Sequence, residues 1–456
     1  MSSIVLSEKQ QEALDKFNKN YNVFITGPGG TGKTALIKNI VRDGENNGKI
    51  VQVCAMTGCA TVLLGCKNTK TLHSWAGIGL GNGTINDIIK RIVRNRKRRQ
   101  NWLKTDVLIV DEVSMMSKKM FDLLDILGKT IRKIPTRPFG GIQLVFSGDF
   151  YQLPPVPDQL DISGGKPANL DSGAFCFESH NWAKTWDFIV QLSIIFRQTD
   201  KTYIKILNQI RVGKLSKKSY NALCARTIVN TGNNFSEKLR PPILLPRRQL
   251  VDQINQLHLN SLKGERRTYK TETDNSLPIK KDELPDIYEA TVSIESIKYE
   301  IQHLKNNIRV EETLELIEGT HVLCVANIDL DSPTPVVNGS QGKIIGFESG
   351  LPLVQFRDGH TRTVGYHVWR SDAIPGLGVK QIPLIPAWAI TIHKAQGMSL
   401  DAAEIDAGVG IFECGQTYVA LSRVKSLDGL YLTSFDPNKI KVNRKVQEYY
   451  KSITAV

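Results

Sequence analysis

Eight consecutive residues near the amino terminus have the spacing of a phosphate-binding loop. The segment from Gly27 to Thr34 has the sequence GPGGTGKT and matches the pattern G-x-x-x-x-G-K-[ST]. Glycines at this spacing let backbone N–H groups turn toward phosphate oxygens, while Lys33 supplies a positive charge and Thr34 a hydroxyl ligand for Mg²⁺. The segment therefore predicts a site for a nucleoside triphosphate with Mg²⁺. The alternative is a glycine-rich turn without a ligand.

Two later segments place further polar groups at the ends of apolar runs. Asp111 and Glu112 follow Val107–Val110, where an aspartate would hold Mg²⁺ and a neighbouring carboxylate would accept a proton from attacking water. Gln152 lies in a loop stiffened by two prolines, which would place its amide near the γ-phosphate and Phe150 against a nucleic-acid base. An acidic strand end and a rigid surface turn are the respective structural alternatives.

Apolar strands that alternate with helices must position these groups. Apolar residues recur at helical spacing after Lys33, and Ser7 with Gln10 predicts a capped helix start that makes Gln10 a candidate to bind the adenine edge. This alternation is typical of a parallel sheet covered on both faces, with ligands at the carboxyl ends of its strands. The predicted fold class is α/β, with a RecA-like nucleotide-binding domain. The strands are predicted at 22–26, 50–55, 107–110 and 142–146.

Composition limits the classes of partner. The 456 residues carry a formal net charge of +14 and a sequence pI of about 9.3, which favours a polyanion but does not separate nucleic acid from an acidic membrane. No run approaches the length of a membrane span, and the amino terminus lacks a signal-peptide pattern. The seven cysteines show neither CxxC pairs nor zinc-site spacing, and they are typical of free thiols in a reducing compartment.

Nine short segments are spread over nearly the whole chain: LSxxQ, GPGGTGKT, TGCAT, TLHSWAGIGLG, VDEVSM, PFGGIQLVFSGDFYQLPPV, FRQ, TIHKAQGMSLD and YVALSR. Together they resemble the PIF-type (petite integration frequency) DNA helicases of superfamily 1B. The stretch from Met120 to Gly148 resembles the signature that sets this family apart from related helicases. The resemblance implies two RecA-like domains and ATP-driven movement along single-stranded DNA from 5′ to 3′.

The resemblance also implies roles for residues that spacing alone does not explain. Arg197 and Arg423 would come from the second domain and, with Gln152, stabilise the charge on the transferring phosphoryl group; Lys33 and Glu112 complete the catalytic set. A surface salt bridge for Arg197 is the structural alternative. The implied nucleotide contacts are Gln10, Gly27, Gly29, Gly30, Thr31, Gly32, Lys33, Thr34 and Gly397, with Thr34 and Asp111 as Mg²⁺ ligands. The implied DNA contacts are Thr57, His73, Ser74, Phe150, Thr391, His393 and Lys394.

The resemblance divides the chain into four predicted parts. They are a first RecA-like domain at 1–185, the first part of a second one at 186–256, an insert with a charged, unassigned stretch at 257–382, and the remainder of the second domain at 383–456. Short strands between turn signals indicate a small β-barrel in the insert, which the resemblance makes SH3-like. A wedge insert at 80–104 carries a basic run that would contact duplex phosphates or form a solvated helix face.

Together these patterns predict a monomeric ATP-dependent DNA helicase that acts on single-stranded DNA and on single-strand/duplex junctions, and they leave open whether G-quadruplex or RNA–DNA hybrid is a further substrate. Two other classes remain open: a DNA-stimulated translocase without unwinding, and a P-loop switch NTPase that ignores DNA. The resemblance connects the chain with DNA replication, repair, recombination and telomere maintenance. No membrane partner is predicted, and the compartment is the nucleus, the mitochondrion or a viral replication site.

Overall fold

The computed structural model describes most of the chain in two compact units. The first unit is Met1–Leu223 with Ile411–Leu427 and Asp436–Val456, and the second is Cys224–Gly410 with Asp428–Phe435. Thr57, which is predicted to contact DNA, lies outside the described residues. The described residues are 6–56, 60–61, 64, 66, 69–78, 84–156, 173–228, 241–274, 294–308, 310–328, 336, 338–371, 374 and 376–454.

The first unit is built on a six-stranded parallel sheet. Its strands are β1 (Val23–Thr26), β2 (Val51–Ala55), β3 (Lys70–Thr71), β4 (Val107–Asp111), β5 (Gln143–Gly148) and β6 (Phe188–Gln191). Their order is β3-β2-β4-β5-β1-β6, and every neighbouring pair is parallel. Because all six strands are parallel, the loop that follows β1 lies at the carboxyl edge of the sheet, where ligands bind in folds of this kind. β1 itself lies between β5 and β6.

Helices cover both faces of this sheet. Alternate strand residues join different cores: Phe24 and Phe146 pack in a cluster with Phe121, whereas Ile25 and Val145 pack in a second cluster. This alternation is expected of strands that are buried on both faces. The helices are α1 (Glu8–Asn18), α2 (Lys33–Asn46), α3 (Leu72–Ala76), α4 (Ile85–Arg94), α5 (Arg96–Lys104), α6 (Lys118–Arg132), α7 (Trp182–Thr185), α8 (Lys201–Arg211) and α9 (Lys217–Cys224), whose last residue opens the second unit.

The second unit contains a four-stranded parallel sheet whose strands come from distant parts of the chain. They are β7 (Ile243–Leu245), β18 (Ala389–Thr391), β19 (Ala403–Ala407) and β20 (Leu430–Phe435), in the order β18-β7-β19-β20. After β7 follows α10 (Arg248–Ser261), from which the Asn255 amide exchanges two hydrogen bonds of 2.9 Å with the backbone of Ala389. The chain therefore leaves this sheet after β7 and returns to it at β18.

Antiparallel sheets occupy the chain between β7 and β18. Their strands are β8 (Arg266–Lys270), β9 (Glu272–Asp274), β10 (Thr313–Ile317), β11 (His321–Cys324), β12 (Gln341–Glu348), β13 (Leu351–Phe356), β14 (Thr361–Thr363), β15 (His367–Arg370), β16 (Gly378–Gln381) and β17 (Leu384–Pro386). The strand orders in the three sheets are β14-β13-β12-β11-β17, β15-β16-β9 and β10-β8. Within the stretch that the sequence left unassigned lies α11 (Ile294–Asn307).

Three helices complete the chain: α12 (Ile392–Ala395) in the second unit, then α13 (Gln416–Leu421) and α14 (Arg444–Thr454) in the first. The α/β class that the sequence predicts, with a core of parallel strands, is confirmed. Among the described residues, no helix combines the length and the apolar character that crossing a membrane requires.

Candidate nucleotide site

The loop Gly27–Thr34 connects the end of β1 to the start of α2. Gly30 and Gly32 have φ values of +83° and +77°, in the left-handed region that favours glycine. At Gly27 a Cβ would lie 2.4 Å from the carbonyl oxygen of Leu192, so any side chain would collide with backbone. Gly32 is the N-cap of α2 and brings no capping side chain. The first turn of this helix is therefore suited to an anion.

The ammonium group of Lys33 is directed back onto this loop. It donates hydrogen bonds to the carbonyl oxygens of Gly27 at 2.7 Å and of Pro28 at 2.9 Å. Burial lowers the pKa of Lys33, and the charge of Asp149 is the largest that opposes this shift. A cation held by two neutral carbonyls fits a phosphate group, because phosphate oxygens would favour its charged form.

Two carboxylates lie at the end of β4. Burial, together with the charge of Glu112, raises the pKa of Asp111 to about 6, against opposing effects of Ser147 and Lys33. Glu112 has a φ of +57°, which is uncommon for a residue with a side chain, and backbone strain of this kind clusters at functional sites. A buried carboxylate beside a half-buried one fits a divalent cation, because the cation offsets both charges.

Gln152 lies in a buried turn after β5. Its backbone N–H donates to the carbonyl oxygen of Asp149 at 2.9 Å. Its side-chain oxygen has no hydrogen-bond partner among the described residues, although Gln152 is only 5% exposed. An acceptor that is buried but not engaged is suited to a bound water or ligand group.

Phe150, in the same turn, belongs to the core. Its ring is 2% exposed and lies 5.6 Å from the ring of Phe24 and 5.9 Å from that of Trp182. The structure thereby corrects the expectation that Phe150 faces a nucleic-acid base, since its ring is enclosed by other aromatic side chains.

A half-buried arginine, Arg197, and a buried one, Arg423, both contact Ser422, the residue after α13. The guanidinium of Arg197 donates to the carbonyl oxygen of Ser422 at 3.0 Å, and that of Arg423 donates to the carbonyl of Val419 at 2.9 Å and to the hydroxyl of Ser422 at 2.7 Å. Burial lowers the pKa of both, and for Arg423, at about 9, the charge of Arg197 adds to the effect. A Cβ at Gly29 would lie 3.6 Å from Nη2 of Arg423.

The structure groups both arginines with Lys33 in the first unit, whereas the sequence predicts that a second domain supplies them. The backbone N–H groups of Phe196 and Arg197 donate to the carbonyl oxygen of Gly30 at 2.8 and 3.3 Å, which ties this segment to the loop. Two positive side chains that both contact Ser422 fit a polyanion, because their mutual repulsion is relieved when it binds.

Gln10 and Phe196 both approach Gly32. A Cβ at Gly32 would lie 2.6 Å from Nε2 of Gln10 and 3.5 Å from the ring of Phe196. The Gln10 amide donates to the carbonyl oxygens of Thr31 and Gly32 at 3.2 and 3.4 Å, so it holds the loop itself. Phe196 is 53% exposed and offers a ring face on which a nucleobase could stack. Sequence reasoning missed Phe196, although it directly precedes Arg197.

Comparison with known proteins identifies the family. Residues 5–221 match the profile of the family described as PIF1-like helicase. The chain is also 32% identical to the Pif1 helicase from Candida albicans in its crystal structure, with 99% of this chain and 100% of that chain covered and a TM-score of 0.76. The chain belongs to the PIF1-like helicases. The resemblance seen in the sequence is thereby confirmed.

The similarity extends over nearly all of this PIF1-like chain but not over all of its curated relatives. The ATP-dependent DNA helicase PIF1 of Danio rerio is 35% identical over 453 residues, which are 98% of this chain and 64% of that protein. The chain thus spans less than two thirds of that relative. A crystal structure of Bacteroides Pif1 with ADP-AlF3 and single-stranded DNA is 26% identical, with 99% and 98% of the two chains covered and a TM-score of 0.66.

Two of the DNA-contact residues predicted for this PIF1-like chain, His73 and Ser74, lie half-buried in α3. The hydroxyl of Thr71 caps this helix by accepting a hydrogen bond from the N–H of Ser74 at 3.3 Å. The side chains that follow the cap are therefore held in a short, defined turn at the carboxyl end of β3.

The remaining predicted DNA contacts belong to the second unit. The Thr391 hydroxyl accepts a hydrogen bond from the N–H of Lys394 at 3.1 Å and caps α12, a structural role that sequence reasoning missed. His393 is exposed and Lys394 half-buried in the same helix. Gly397, predicted to lie near the nucleotide, follows α12 with a φ of +81°.

Proposed function

We propose that this PIF1-like chain is an ATP-dependent DNA helicase that moves along single-stranded DNA from 5′ to 3′ and unwinds duplex DNA. The observation that carries the proposal is one set of charged side chains beside the phosphate-binding loop, of which Asp111 and Arg423 are buried and Lys33, Glu112 and Arg197 half-buried. In this set Lys33 interacts with Asp111 and Glu112, and Glu112 with Arg197 and Arg423. The Bacteroides Pif1 structure with ADP-AlF3 and single-stranded DNA supports both kinds of ligand.

ATP fits the loop through groups that the chain already holds in place. Lys33 would exchange its two carbonyl partners for oxygens of the β- and γ-phosphates, and the glycines would admit the phosphates to the backbone N–H groups. Phe196 would stack on the base. Thr34 and Asp111 would hold Mg²⁺, which supplies neutralisation of the phosphate charge when it is bound.

Hydrolysis would use the side chains around the loop in separate roles. Glu112 would accept a proton from the attacking water, and the unengaged oxygen of Gln152 would orient that water. Arg197 and Arg423 would stabilise the negative charge that develops on the phosphoryl group; arginines in this role accelerate transfer on the order of a thousandfold or more. The burial of Arg423 supports this role, because charge interactions are stronger where water is excluded.

A basic helix surface supports duplex contact by the proposed wedge at 80–104. In α4 the side chains of Ile88 and Ile92 are buried, whereas those of Lys90, Arg91 and Arg94 are exposed. An amphipathic helix of this composition can pack on the protein and direct its charges to phosphates. Single-stranded DNA would be contacted by Thr57, His73, Ser74, Thr391, His393 and Lys394.

The pairing of β7 with β18 supports the proposed division into 1–185, 186–256, 257–382 and 383–456. The two strands are parallel neighbours, with Ile243 opposite Ala389, so the residues between them form an insert into one sheet. The antiparallel order β14-β13-β12-β11-β17 supports an SH3-like barrel within that insert.

The proposed active species on single-stranded DNA is a monomer. A related structure at forked duplex DNA is described as two coordinating Pif1 helicases and is 27% identical to this chain; a fork is therefore the substrate at which a second copy would be sought. The described cysteines form no disulfide with one another, as expected for a DNA enzyme of the nucleus, the mitochondrion or a viral replication site.

ATP hydrolysis with and without a single-stranded oligonucleotide tests the proposal. We expect strong stimulation by DNA that decreases as the salt concentration rises, because phosphate contacts release counterions. Lys33→Ala is the control: it should abolish hydrolysis and leave oligonucleotide binding largely intact. A parallel loss of DNA binding would contradict this separation of roles.

Strand displacement on tailed duplexes separates the remaining classes. We expect displacement of a duplex with a 5′ tail and not of one with a 3′ tail. Stimulated hydrolysis without displacement would identify a translocase that does not unwind. Hydrolysis that is unchanged by DNA would identify a switch NTPase and refute the helicase proposal.

A further inference from the structure

The carboxyl end of α8 is joined to the turn of Gln152 by a buried ion pair. Arg211 donates hydrogen bonds of 2.7 and 3.0 Å to the two carboxylate oxygens of Asp149, which is fully buried. Asp149 also accepts hydrogen bonds from the N–H of Tyr151 at 3.2 Å and from the hydroxyl of Tyr450 at 3.3 Å. Because the N–H of Gln152 is bonded to the carbonyl of Asp149, the ion pair fixes the backbone that carries Gln152.

Aromatic rings enclose the guanidinium group of Arg211. It lies 4.4 Å from the ring centre of Tyr151 and 5.2 Å from that of Tyr450, and the two rings stack on each other at 4.7 Å. The hydroxyl of Tyr450 lies 2.6 Å from that of Thr26, the last residue before the phosphate-binding loop. Arg211 therefore has little rotational freedom and acts as a fixed anchor.

The amino end of α8 is joined to the segment of Arg423. The hydroxyl of Tyr203, which is fully buried, donates to the carbonyl oxygen of Leu421 at 2.7 Å. Just before the helix, the amide of Gln198 donates to the carbonyl of Val424 at 2.9 Å. Backbone carbonyls before and after Arg423 are thus held by residues of α8 or next to it.

The turn of Gln152 and the segment that leads to Arg423 also contact each other directly. Gly415 is the N-cap of α13, the helix that leads to Arg423, and has a φ of +74°. A Cβ at Gly415 would lie 2.5 Å from the carbonyl oxygens of both Tyr151 and Gln152. The helix α13 therefore begins against the backbone of the turn that carries Gln152. The helix α8 contacts both this turn and the segment of Arg423.

We propose that α8 sets the separation between Gln152 and Arg423, and that Arg211 and Tyr203 are positioning residues for hydrolysis. The two anchors lie about 12 Å apart along the helix at 1.5 Å per residue, and Ile206, Leu207 and Ile210 between them are buried. A helix fixed at both ends holds the amide and the guanidinium in one geometry toward the same phosphoryl group. The inference rests on the proposed function, because it assigns both groups to hydrolysis.

The test compares Arg211→Gln with Lys205→Gln, which removes an exposed positive charge from the same helix. We expect Arg211→Gln to lower kcat of DNA-stimulated hydrolysis about tenfold and to change KM for ATP less than about threefold, since positioning acts in the transition state. Arg211→Lys keeps the charge but not the paired hydrogen bonds, so its kcat should fall in between. Without nucleotide, hydrogen–deuterium exchange at residues 149–152 should rise in Arg211→Gln and not in Lys205→Gln.

Further variants separate positioning from folding. Arg211→Gln leaves a buried carboxylate unpaired, which destabilises a protein; combining it with Asp149→Asn removes that charge. The double variant should recover its thermal unfolding midpoint more fully than its kcat. Tyr203→Phe, which removes one hydroxyl, should lower kcat about fivefold at unchanged KM.

Equal kcat, KM and exchange in Arg211→Gln and Lys205→Gln would overturn the inference, even if the unfolding midpoint of Arg211→Gln were lower. If the parent protein does not hydrolyse ATP in the presence of DNA, the proposed function fails. In that case the exchange measurement still shows whether Arg211 fixes residues 149–152, because it needs neither nucleotide nor turnover, and the two failures are thereby distinguished.

Discussion

The phenol oxygen of Tyr418 accepts a hydrogen bond from the backbone N–H of Gly29 at 2.9 Å. Gly29 is the third residue of the phosphate-binding loop, and Tyr418 belongs to α13, which leads to Arg423. This N–H is one of those that the loop pattern turns toward phosphate. The phenol oxygen occupies the acceptor position at this N–H, and we expect a phosphate oxygen of a bound nucleotide to replace it.

Tyr418→Phe should bind ADP about fivefold more tightly, because the nucleotide no longer has to break a hydrogen bond of about 1 kcal/mol. Titration with fluorescent ADP measures the change. Tyr21→Phe, at an exposed position, is the control and should leave affinity unaltered. Weaker binding by Tyr418→Phe would show instead that the phenol contributes a favourable contact to the bound nucleotide.

Arg423→Ala should lower kcat far more than nucleotide affinity. The side chain is buried beside the loop, and an arginine that meets charge developing in the transition state is worth about a thousandfold or more in rate. Single-turnover hydrolysis and equilibrium binding of ATP measure the two effects separately. Arg444→Ala, an exposed arginine of α14, controls for loss of charge. A loss confined to affinity would contradict the assignment.

Phe196→Ala should raise KM for ATP about tenfold with little change in kcat, because stacking of a base on an aromatic ring is worth about 1–3 kcal/mol. The ring lies beside Gly32 and is half exposed. Ile194→Ala removes a similarly exposed apolar side chain two residues away and should have little effect. Equal KM values in the two variants would exclude Phe196 as a base platform.

The carboxyl group of Asp111 should make the stability of the metal-free and nucleotide-free protein depend on pH. Burial and the charge of Glu112 raise its folded-state pKa to about 6, compared with about 3.9 in an unfolded chain. A raised folded-state pKa contributes stability that is complete below the unfolded value and is lost as the pH rises through the folded value. As the pH rises from about 4 to about 7, the free energy of unfolding of the parent should therefore fall relative to that of Asp111→Asn.

Denaturant titrations at several pH values measure this difference. A difference that stays constant with pH would show that Asp111 does not titrate in this range.

The parts of the site that lie within short segments could be predicted from the sequence. The strand before Gly27 and the helix after Gly32 follow from an apolar run and from apolar residues at helical spacing, which are local signals. The two carboxylates after β4 could be placed at a strand end for the same reason. These segments combine strand, loop and helix in the order that the phosphate site requires.

Contacts between distant segments could not be predicted in this way. Asp149 and Arg211 are 62 residues apart, and nothing in either local pattern indicates the other. Phe150 lies in a segment with the composition of a loop, yet the turn packs inward and its ring joins the aromatic core. The grouping of Arg197 with the loop likewise depends on tertiary hydrogen bonds.

The parallel pair β7–β18 has a consequence for the order of folding. Its strands are separated in the chain by the whole antiparallel insert, and pairing across so long a loop is slow because the loop has to close first. The hairpin β12–β13, by contrast, turns at Ser349 and Gly350 and needs only neighbouring residues. We therefore expect the insert to fold first during synthesis. The parallel sheet that carries it can form only after β18, β19 and β20, which follow the insert in the chain, have left the ribosome.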